Sequence, residues 1–230
     1  FILMKNRFFP IFLFLFAFQL FSCGSSVSSN VYQKAISKVV EIRLTNSNNA
    51  ISYATGTIIS SDGLILTNKH VLQYLSSGEH QIYENIEVRF VTEEYFLPSV
   101  FISVSEEYDL GLIRINVPTK SYFENIDELF NPGQDVFTIG NANGFGLSFS
   151  TGNISSDYRY VISGDDTLLA IQTDIQISEG CSGGPLFTSK NSLLGIMAFR
   201  LIDEKGDVIQ GMSFAIPSVS INEYLSENFI

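Results

Sequence analysis

Short apolar runs bounded by turn-forming residues recur along most of this chain. Runs of this length are typical of β-strands, and their even spacing is typical of an all-β sandwich or barrel. The pattern predicts strands at 39–44, 53–59, 64–67, 86–91, 96–104 and 110–115, and then at 135–140, 147–155, 158–163, 168–173, 185–187, 193–201 and 207–216. An irregular, polar stretch at 118–132 separates the two groups. We therefore expect an all-β protein with an N-terminal lobe at 31–117 and a C-terminal lobe at 133–217, with short helices at 31–38 and 218–230.

The N-terminus has a different pattern, that of a targeting segment. Met4-Lys5-Asn6-Arg7 supplies positive charge, and the apolar stretch 8–21 that follows is too short to span a bilayer but suits a signal peptide. Its end, Leu20-Phe21-Ser22-Cys23-Gly24, resembles a bacterial lipobox with Cys23 as the acylated residue. A conventional signal peptide with a free Cys23, or an uncleaved anchor, stays open. The segment predictions are a signal peptide at 1–22 and a flexible tether at 23–30.

Charge and cysteine content narrow the classes of function. The chain has 24 acidic and 13 basic residues, a net charge of −11, and such a protein repels the phosphate backbone of nucleic acids. We therefore expect no nucleic-acid partner. The two histidines, His70 and His80, stand without clustered acids or thiols, so neither a metal site nor a cofactor is predicted. With Cys23 acylated, Cys181 has no partner, and no disulfide is expected.

The hexapeptide Gly180-Cys181-Ser182-Gly183-Gly184-Pro185 is the most informative motif of the chain. A serine hydroxyl is a poor nucleophile, so it needs a base to take its proton and donors to stabilise the oxyanion that forms. Glycine permits the backbone angles of a tight turn, and in such a turn the backbone N–H groups of Gly180 and Ser182 would point at one spot. The motif predicts a nucleophilic Ser182 whose own loop supplies the oxyanion hole.

His70 is the candidate base. It follows a predicted strand–turn–strand hairpin with Asp62-Gly63 at the turn, and a histidine at the end of a strand can face a cleft while its other ring nitrogen meets a carboxylate. His80 lies in a polar stretch and is predicted to be a solvated loop residue. A lone histidine is more often structural than catalytic, so the case for His70 depends on its companions.

Asp109 is the candidate for the acid that orients the base. It opens the apolar strand 110–115, where a carboxylate drawn into the interior needs a charged or hydrogen-bonded partner. Asp174 is the rival acid because it lies in a second apolar strand. Since Asp174 comes only eight residues before Ser182, we expect it to support the loop of the 180–185 motif, here called the nucleophile loop, instead.

With His70, Asp109 and Ser182 in this order, the chain resembles the trypsin-like superfamily of serine proteases and, within it, the HtrA/Deg branch of bacterial envelope proteases. The similarity covers about residues 30–218, and the matching stretches are 56–71, 108–115, 133–141, 151–155, 171–185 and 211–218. The resemblance implies two antiparallel six-stranded β-barrels with the active site in the cleft between them. It also implies a serine endopeptidase whose partners are unfolded or extended protein segments, and it allows a homotrimer, which is common in this branch.

Together with the lipobox, the resemblance predicts a location in the bacterial cell envelope. The protein would be lipid-anchored through Cys23 on the outer side of the cytoplasmic membrane or on the outer membrane. The branch usually carries a PDZ domain after the protease, whereas one short helical pattern lies between Pro217 and Ile230. We therefore expect a protease core that lacks a PDZ domain.

Cys181 departs from the family pattern, which usually has Asn or Asp beside the nucleophile. It is interpreted first as a small buried residue that fills this position. A redox-sensitive thiol is the second interpretation and requires a lowered pKa. A nucleophilic Cys181 is the third, and it is disfavoured because Ser182 holds the family position.

The resemblance also locates the substrate cleft. In the family pattern, the residue at the spacing of Gln176 from Ser182 lies near the floor of the primary specificity pocket. Ala198, Phe199 and Arg200 would then lie along one wall. No acid stands at that floor, so we expect cleavage after an apolar or small residue; an inward Arg200 would instead attract an acidic one. The substrate would lie extended beside the strand that carries the three wall residues, as an added antiparallel strand.

Two other functions stay open at this point. A catalytically silent or partner-activated binding module with a protease fold is the main alternative, because family members can hold the oxyanion loop misarranged until a partner activates them. An esterase that uses the same three residues is the second alternative. A platform for an extended peptide argues for peptide substrates over simple esters.

Overall fold

The structure, a computed structural model, describes residues 27–163, 166–203 and 205–229. The predicted signal peptide and the predicted acylation site, Cys23, lie outside the described residues. The helices are α1 (Val27–Ala35), α2 (Lys69–Leu72) and α3 (Ser218–Phe229), with 3-10 turns at Ile36–Lys38 and Ala142–Gly144. The strands are β1 (Val39–Thr45), β2 (Ile51–Ile58), β3 (Leu64–Thr67), β4 (Gln73–Ser76), β5 (Glu79–Ile82), β6 (Asn85–Phe90), β7 (Leu97–Val104), β8 (Gly111–Ile115), β9 (Asp135–Asn141), β10 (Leu147–Asn153), β11 (Arg159–Ser163), β12 (Asp166–Thr173), β13 (Pro185–Phe187), β14 (Leu193–Ile202) and β15 (Val208–Pro217).

The N-terminal half forms a closed antiparallel barrel with the strand order β1-β2-β3-β8-β7-β6. It closes because β1 pairs with both β2 and β6. Alternate residues of a strand point to opposite faces, and Val40, Ile42 and Leu44 accordingly pack together in the barrel's apolar cluster. The predicted Asp62-Gly63 turn joins β2 to β3, and β3 then pairs with β8. These pairings place the ends of β3 and β8 side by side.

The C-terminal half forms a seven-stranded antiparallel sheet with the order β10-β9-β13-β14-β15-β12-β11. An antiparallel bridge between Ile154, which follows β10, and Thr173, at the end of β12, brings the two sides of the sheet together. The N–H of Ser155 also donates to the carbonyl of Gln172 at 2.8 Å. The sheet therefore curls around its own apolar cluster. Six strands take part in the curl, as the resemblance implies, and β11 continues beyond β12 as a seventh.

A third cluster of buried apolar side chains lies between the two sheets. Leu66 and Leu112 enter it from the barrel, and Phe137 and Phe187 enter it from the C-terminal sheet. Helices α1 and α3 contribute further side chains, and Phe123 extends into the cluster from the segment between the lobes. Because one core is shared by both sheets, their relative position, and hence the cleft between them, is determined by packing.

The all-β fold and the short C-terminal helix are confirmed. Helix α1 begins at Val27, earlier than predicted, so part of the predicted tether is helical. The pattern missed the hairpin of β4 and β5 because both strands are short, largely polar and not buried. His80 lies in β5 rather than in a loop, although it is exposed as expected. Within the described ranges, no helix combines the length and apolar character that a membrane crossing requires.

Candidate active site

His70 and Asp109 are brought together by the pairing of β3 with β8. Thr67 at the end of β3 pairs with Gly111 at the start of β8, so the residues just beyond these ends are neighbours. His70 lies in the single turn α2 after β3, and Asp109 lies just before β8. The ring Nδ1 of His70 is 2.7 Å from Asp109 Oδ2, and the backbone N–H of His70 donates to Asp109 Oδ1 at 3.0 Å. One carboxylate therefore holds both the ring and the backbone of His70.

The surroundings of His70 alter its basicity. Burial by itself lowers the pKa of the imidazole, but the hydrogen bond and the negative charge of Asp109 raise it by more, so the pKa lies above the ordinary value of 6.5. A carboxylate accepts hydrogen bonds, so Nδ1 carries the ring proton in the neutral tautomer and Nε2 presents its lone pair to the cleft. The ring can therefore act as a base at Nε2.

Ser182 lies at the tip of the loop that precedes β13, in the C-terminal half. Its hydroxyl donates to the backbone carbonyl of Ala198 at 2.9 Å. Among the hydrogen bonds of the described residues, none joins Ser182 Oγ to His70 Nε2. Transfer of the hydroxyl proton to His70 consequently requires the hydroxyl to leave the Ala198 carbonyl.

The backbone of the same loop leaves two N–H groups free for an oxyanion. The N–H groups of Cys181, Gly183 and Gly184 donate to the carbonyls of Ser178, Met197 and Cys181. By contrast, no acceptor is present for the N–H groups of Gly180 and Ser182 among the described residues. These are the two donors that the motif predicts.

The direction of the Gly180 N–H is set by the neighbouring peptide groups. In a trans peptide the C=O and the N–H point in opposite directions. The carbonyl of Glu179 accepts from the N–H of Asn143 at 2.7 Å, so the N–H of Gly180 points away from that contact. Gly180 has φ +87°, and a Cβ there would collide with the carbonyl of Asn141. Only glycine therefore suits this turn.

Residues of the barrel support the nucleophile loop from behind. The N–H of Thr55 donates to the carbonyl of Ser182 at 3.0 Å, and the hydroxyl of Thr57 donates to the carbonyl of Gly183 at 2.8 Å. Gly183 has φ +88° and lies against the carbonyl of Thr55 and the hydroxyl of Thr67, with no space for a Cβ. The nucleophile loop and β2 are therefore in direct backbone contact across the two lobes.

Cys181 is buried, with 7% of its surface exposed, and it packs in the apolar cluster inside the C-terminal sheet. Gly140 lies so close that a Cβ there would approach the sulfur to 3.0 Å. Burial raises the pKa of the Cys181 thiol, and a hydrogen bond from the loop and the charge of Arg200 only partly oppose this. The structure thus favours the interpretation of Cys181 as a small buried side chain, because a reactive thiol needs a lowered pKa.

The residues predicted to bind substrate lie in two places. The carbonyl of Ala198 accepts from the Ser182 hydroxyl, Phe199 stacks on Phe214 at 5.3 Å between ring centroids, and Arg200 donates to the carbonyl of Ile177 at 3.2 Å. Gln176 is exposed on the outside and lines a depression with Ser150, Thr151, Gly152 and Asp174. The guanidinium of Arg200 is therefore held at Ile177, while Gln176 as the pocket floor and Arg200 as part of its wall stay predictions.

Asp174 does not brace the nucleophile loop, contrary to the expectation from its position in the sequence. Its carboxylate accepts from the backbone N–H of Asn153 at 2.6 Å, and it stabilises the end of β10 instead. The reason is that β12 ends beside β10, where Thr173 bridges to Ile154. Among the described residues, no three His, Cys, Asp or Glu side chains are grouped so that they could hold a metal ion.

Three supporting residues have no signal in the sequence. Asn68 is buried and donates from its side chain to the carbonyl of Asp109 at 2.9 Å. The backbone N–H of Asn143 donates to the carbonyl of Glu179, and Thr55 donates its backbone N–H to the carbonyl of Ser182 and its hydroxyl to that of Gly180. Hydrogen bonds to a remote backbone group leave no periodicity or motif, so sequence patterns cannot locate them.

Comparison with known proteins identifies the family. The family model for the trypsin-like peptidase domain matches residues 54–196, more than half of the chain and a span that contains His70, Asp109 and Ser182. The chain belongs to this family. Among solved structures, the trypsin-like fold is also found in the HtrA-type protease AlgW with a tripeptide, at a TM-score of 0.72 and 25% identity, over 87% of this chain and 64% of that one. The active form of the Rv3671c protease from M. tuberculosis has the same fold, at a TM-score of 0.75 and 20% identity, with coverage of 90% and 87%.

Curated relatives of this trypsin-like domain come from the HtrA/Deg branch. A probable periplasmic serine endoprotease, DegP-like, from Pseudomonas putida is 33% identical over 73% of this chain. The serine endoprotease DegS of Haemophilus influenzae is 31% identical over 85%, and the serine protease HTRA1B of Danio rerio is 30% identical over 87%. The chain spans 33%, 55% and 41% of the lengths of these relatives.

Proposed function

We propose that this protein is a serine endopeptidase with Ser182 as the nucleophile, His70 as the general base and Asp109 as the residue that orients the base. The observation that carries the proposal is the combination of the 2.7 Å His70–Asp109 contact with a nucleophile loop whose Gly180 and Ser182 N–H groups are free. Membership of the trypsin-like peptidase domain family supports the same chemistry. The relatives named above are described as serine proteases.

The reaction is acyl transfer. The Ser182 hydroxyl rotates from Ala198 towards His70 Nε2 and attacks the carbonyl carbon of a peptide bond while His70 takes its proton. The oxyanion of the tetrahedral intermediate accepts hydrogen bonds from the N–H groups of Gly180 and Ser182. His70 then passes its proton to the leaving amine, and an acyl-enzyme remains. Water, deprotonated by His70, attacks the ester carbonyl, and His70 returns the proton to Ser182 Oγ as the acyl product leaves. Asp109 stabilises the imidazolium throughout.

The substrate is proposed to bind in an extended conformation beside β14. The pairing of β13 with β14 ends at Pro185 and Ile196. The backbone carbonyl and N–H of Met197 are hydrogen-bonded to Gly183 and Gly184. From Ala198 onward the edge of β14 next to the nucleophile lies beyond this pairing, so a peptide can add there as an antiparallel strand. An N–H of the substrate that donates to the Ala198 carbonyl would compete with the Ser182 hydroxyl and release it towards His70. Binding and activation of the nucleophile would then be linked.

A location in the bacterial cell envelope is part of the proposal. It is supported by the periplasmic DegP-like relative and by the predicted signal peptide. Acylation at Cys23 would anchor the protein to a membrane and keep its substrates among envelope proteins. The anchor and the homotrimer stay predictions.

A partner-activated module is the second candidate, and one observation favours it. The Ser182 hydroxyl donates to Ala198 rather than to His70, which is a resting arrangement of the nucleophile. The free Gly180 and Ser182 N–H groups argue against a collapsed oxyanion hole. In this candidate, a partner would therefore have to control only the rotation of the Ser182 side chain.

Replacement of the nucleophile tests the proposal. We expect purified wild-type protein to cleave an unfolded protein substrate and to react with a fluorophosphonate probe, and we expect Ser182→Ala to lose both activities by at least about 10⁴-fold. Ser189→Ala removes an exposed serine a short distance along the chain and should retain both. If folded wild-type protein neither cleaves nor reacts with the probe, the silent or partner-activated module is the correct function instead.

A further inference from the structure

The side chain of Thr55 connects three separate segments of the molecule. Thr55 lies in β2 of the barrel and is completely buried. Its hydroxyl oxygen accepts from the backbone N–H of Asn141 at 2.9 Å and donates to the carbonyl of Gly180 at 2.6 Å. An amide N–H can only donate and a carbonyl can only accept, so the directions of both bonds are determined. One hydroxyl thus links β2, the end of β9 and the nucleophile loop.

These bonds act on both peptide groups that flank Gly180. The group after Gly180 is held at its carbonyl by Thr55. The group before it is held by Asn143, which donates to the carbonyl of Glu179 at 2.7 Å from the turn that begins at Asn141. Asn141 is itself held by Thr55 through its N–H. The two peptide groups that flank Gly180, the first of which carries its N–H, are therefore both held through the Thr55 hydroxyl, one directly and the other through the turn that begins at Asn141.

Gly180 needs such external support. Glycine populates positive and negative φ about equally, so its own preferences do not select φ +87° over alternatives in which the preceding peptide group is turned over. Turning the Glu179–Gly180 peptide would place a carbonyl where an oxyanion must bind. The burial of Thr55 makes its two bonds costly to lose, because the Asn141 N–H and the Gly180 carbonyl would then lack partners.

We propose that Thr55 is a positioning residue that keeps the oxyanion hole formed, so that the N-terminal barrel controls the catalytic geometry of the C-terminal lobe. The kinetic consequences of this inference rest on the proposed function. Its structural part concerns only the orientation of the Glu179–Gly180 peptide. Thr55 itself does not contact the reacting atoms. The hydroxyl acts by holding Gly180 and the turn that carries Asn143.

Thr57 offers a matched comparison on the same strand. It is also fully buried, and its hydroxyl also donates across the lobes to a carbonyl of the nucleophile loop, that of Gly183 at 2.8 Å. Gly183 follows the nucleophile, however, and its N–H donates to Met197 rather than to an oxyanion. Removal of either hydroxyl should destabilise the fold to a similar extent, but only removal of the Thr55 hydroxyl should selectively affect the hole.

The experiment compares Thr55→Val, Thr55→Ser and Thr57→Val in the full-length protein. Loss of one oxyanion donor typically costs about 10²–10³-fold in kcat, so a disturbed Gly180 peptide should lower kcat by about 10- to 100-fold in Thr55→Val, with KM changed by less than about threefold. Binding of a peptide trifluoromethyl ketone, whose hemiketal oxygen occupies the hole, should weaken by the same factor. Thr55→Ser keeps the hydroxyl and should restore both quantities. Thr57→Val should lower the Tm as Thr55→Val does. Its fold-loss in kcat should be at least about tenfold smaller than that of Thr55→Val.

Equal kinetic losses in Thr55→Val and Thr57→Val, or wild-type kcat in Thr55→Val, would overturn the inference. A crystal structure of Thr55→Val provides a readout that does not require activity, since we expect the Glu179 carbonyl to leave Asn143. An unchanged Gly180 peptide in that structure would also contradict it. If wild-type protein proves inactive, the proposed function fails, and the crystal structure alone still decides whether Thr55 sets the peptide orientation.

Discussion

Two contacts from one carboxylate determine how His70 can react. Asp109 binds the backbone N–H and the ring Nδ1 of His70, and Asn68 in turn holds the backbone of Asp109. The ring is about half exposed and the carboxylate much less so, with side-chain exposures of 49% and 14%. The imidazole can therefore reach the cleft at Nε2 while its orientation is determined from the protein side.

This arrangement predicts the pH dependence of the reaction. A general base must be neutral, and the pKa of His70 lies above 6.5, so kcat/KM should rise with pH through a midpoint above 6.5. In Asp109→Asn the hydrogen bond to the charged form and the negative charge are lost, and only the partial desolvation of the half-exposed ring remains. Desolvation lowers the pKa of His70, so the midpoint should move to lower pH, and kcat should fall by about 10⁴-fold. A pH–rate profile of both proteins measures this.

Asp174→Asn is the control, because Asp174 is the other acid that the sequence offers for the same role. Its carboxylate contacts Asn153 rather than His70, so the midpoint should stay in place. A midpoint that moves in Asp174→Asn but not in Asp109→Asn would show that the acid has been assigned incorrectly.

The nucleophile loop requires two residues without side chains, Gly180 and Gly183. Gly180 and Gly183 both have positive φ, and each lies against the backbone of another segment. Positive φ alone accounts for a glycine preference, but the close approach of β2 to Gly183 adds a second, steric requirement. The sequence motif indicates the tight turn, whereas the steric requirement follows from the position of β2.

Gly183→Ala and Gly133→Ala separate these two requirements. Gly133 has φ +84° and open space on the side where an alanine methyl group would lie, so alanine there should cost only the left-handed backbone term, about 1–2 kcal/mol. Alanine at Gly183 meets the carbonyl of Thr55 and the hydroxyl of Thr67 as well, which should add about 1–3 kcal/mol of overpacking. Chemical denaturation measures both. Equal losses of unfolding free energy in the two variants would mean that β2 moves away without cost.

On the scale of the whole molecule, a shared core fixes the relative position of the two lobes. Phe123, from the segment between the lobes, is 1% exposed and lies 5.5 Å from the ring of Phe187 in the C-terminal sheet. Its backbone N–H also donates to the carbonyl of Ile58 in the barrel at 2.9 Å. The segment that the pattern identifies as a polar crossing therefore contains an apolar anchor between the lobes.

Phe123→Ala should lower the free energy of unfolding by about 3–5 kcal/mol, because it removes a buried aromatic ring and leaves a cavity. Leu129→Ala changes an 83% exposed side chain in the same segment and should stay within about 0.5 kcal/mol of wild type. Urea denaturation of both variants checks the difference. A small loss in Phe123→Ala would indicate that the lobes are held together mainly by α1, α3 and the remaining core.

Residue patterns predicted most of the strands, the Asp62-Gly63 turn and the candidate catalytic residues. Apolar periodicity located most strands because it records which face of a strand is buried, and the Gly180–Pro185 motif identified Ser182 because that chemistry needs particular residue types at short spacing. Which distant groups meet was visible only in the three-dimensional structure. It assigned Asp174 to β10, turned the Ser182 hydroxyl towards Ala198 and placed Thr55 behind Gly180. Those contacts join a side chain to the backbone of a remote segment, and backbone groups are the same at every position, so no residue pattern can specify them.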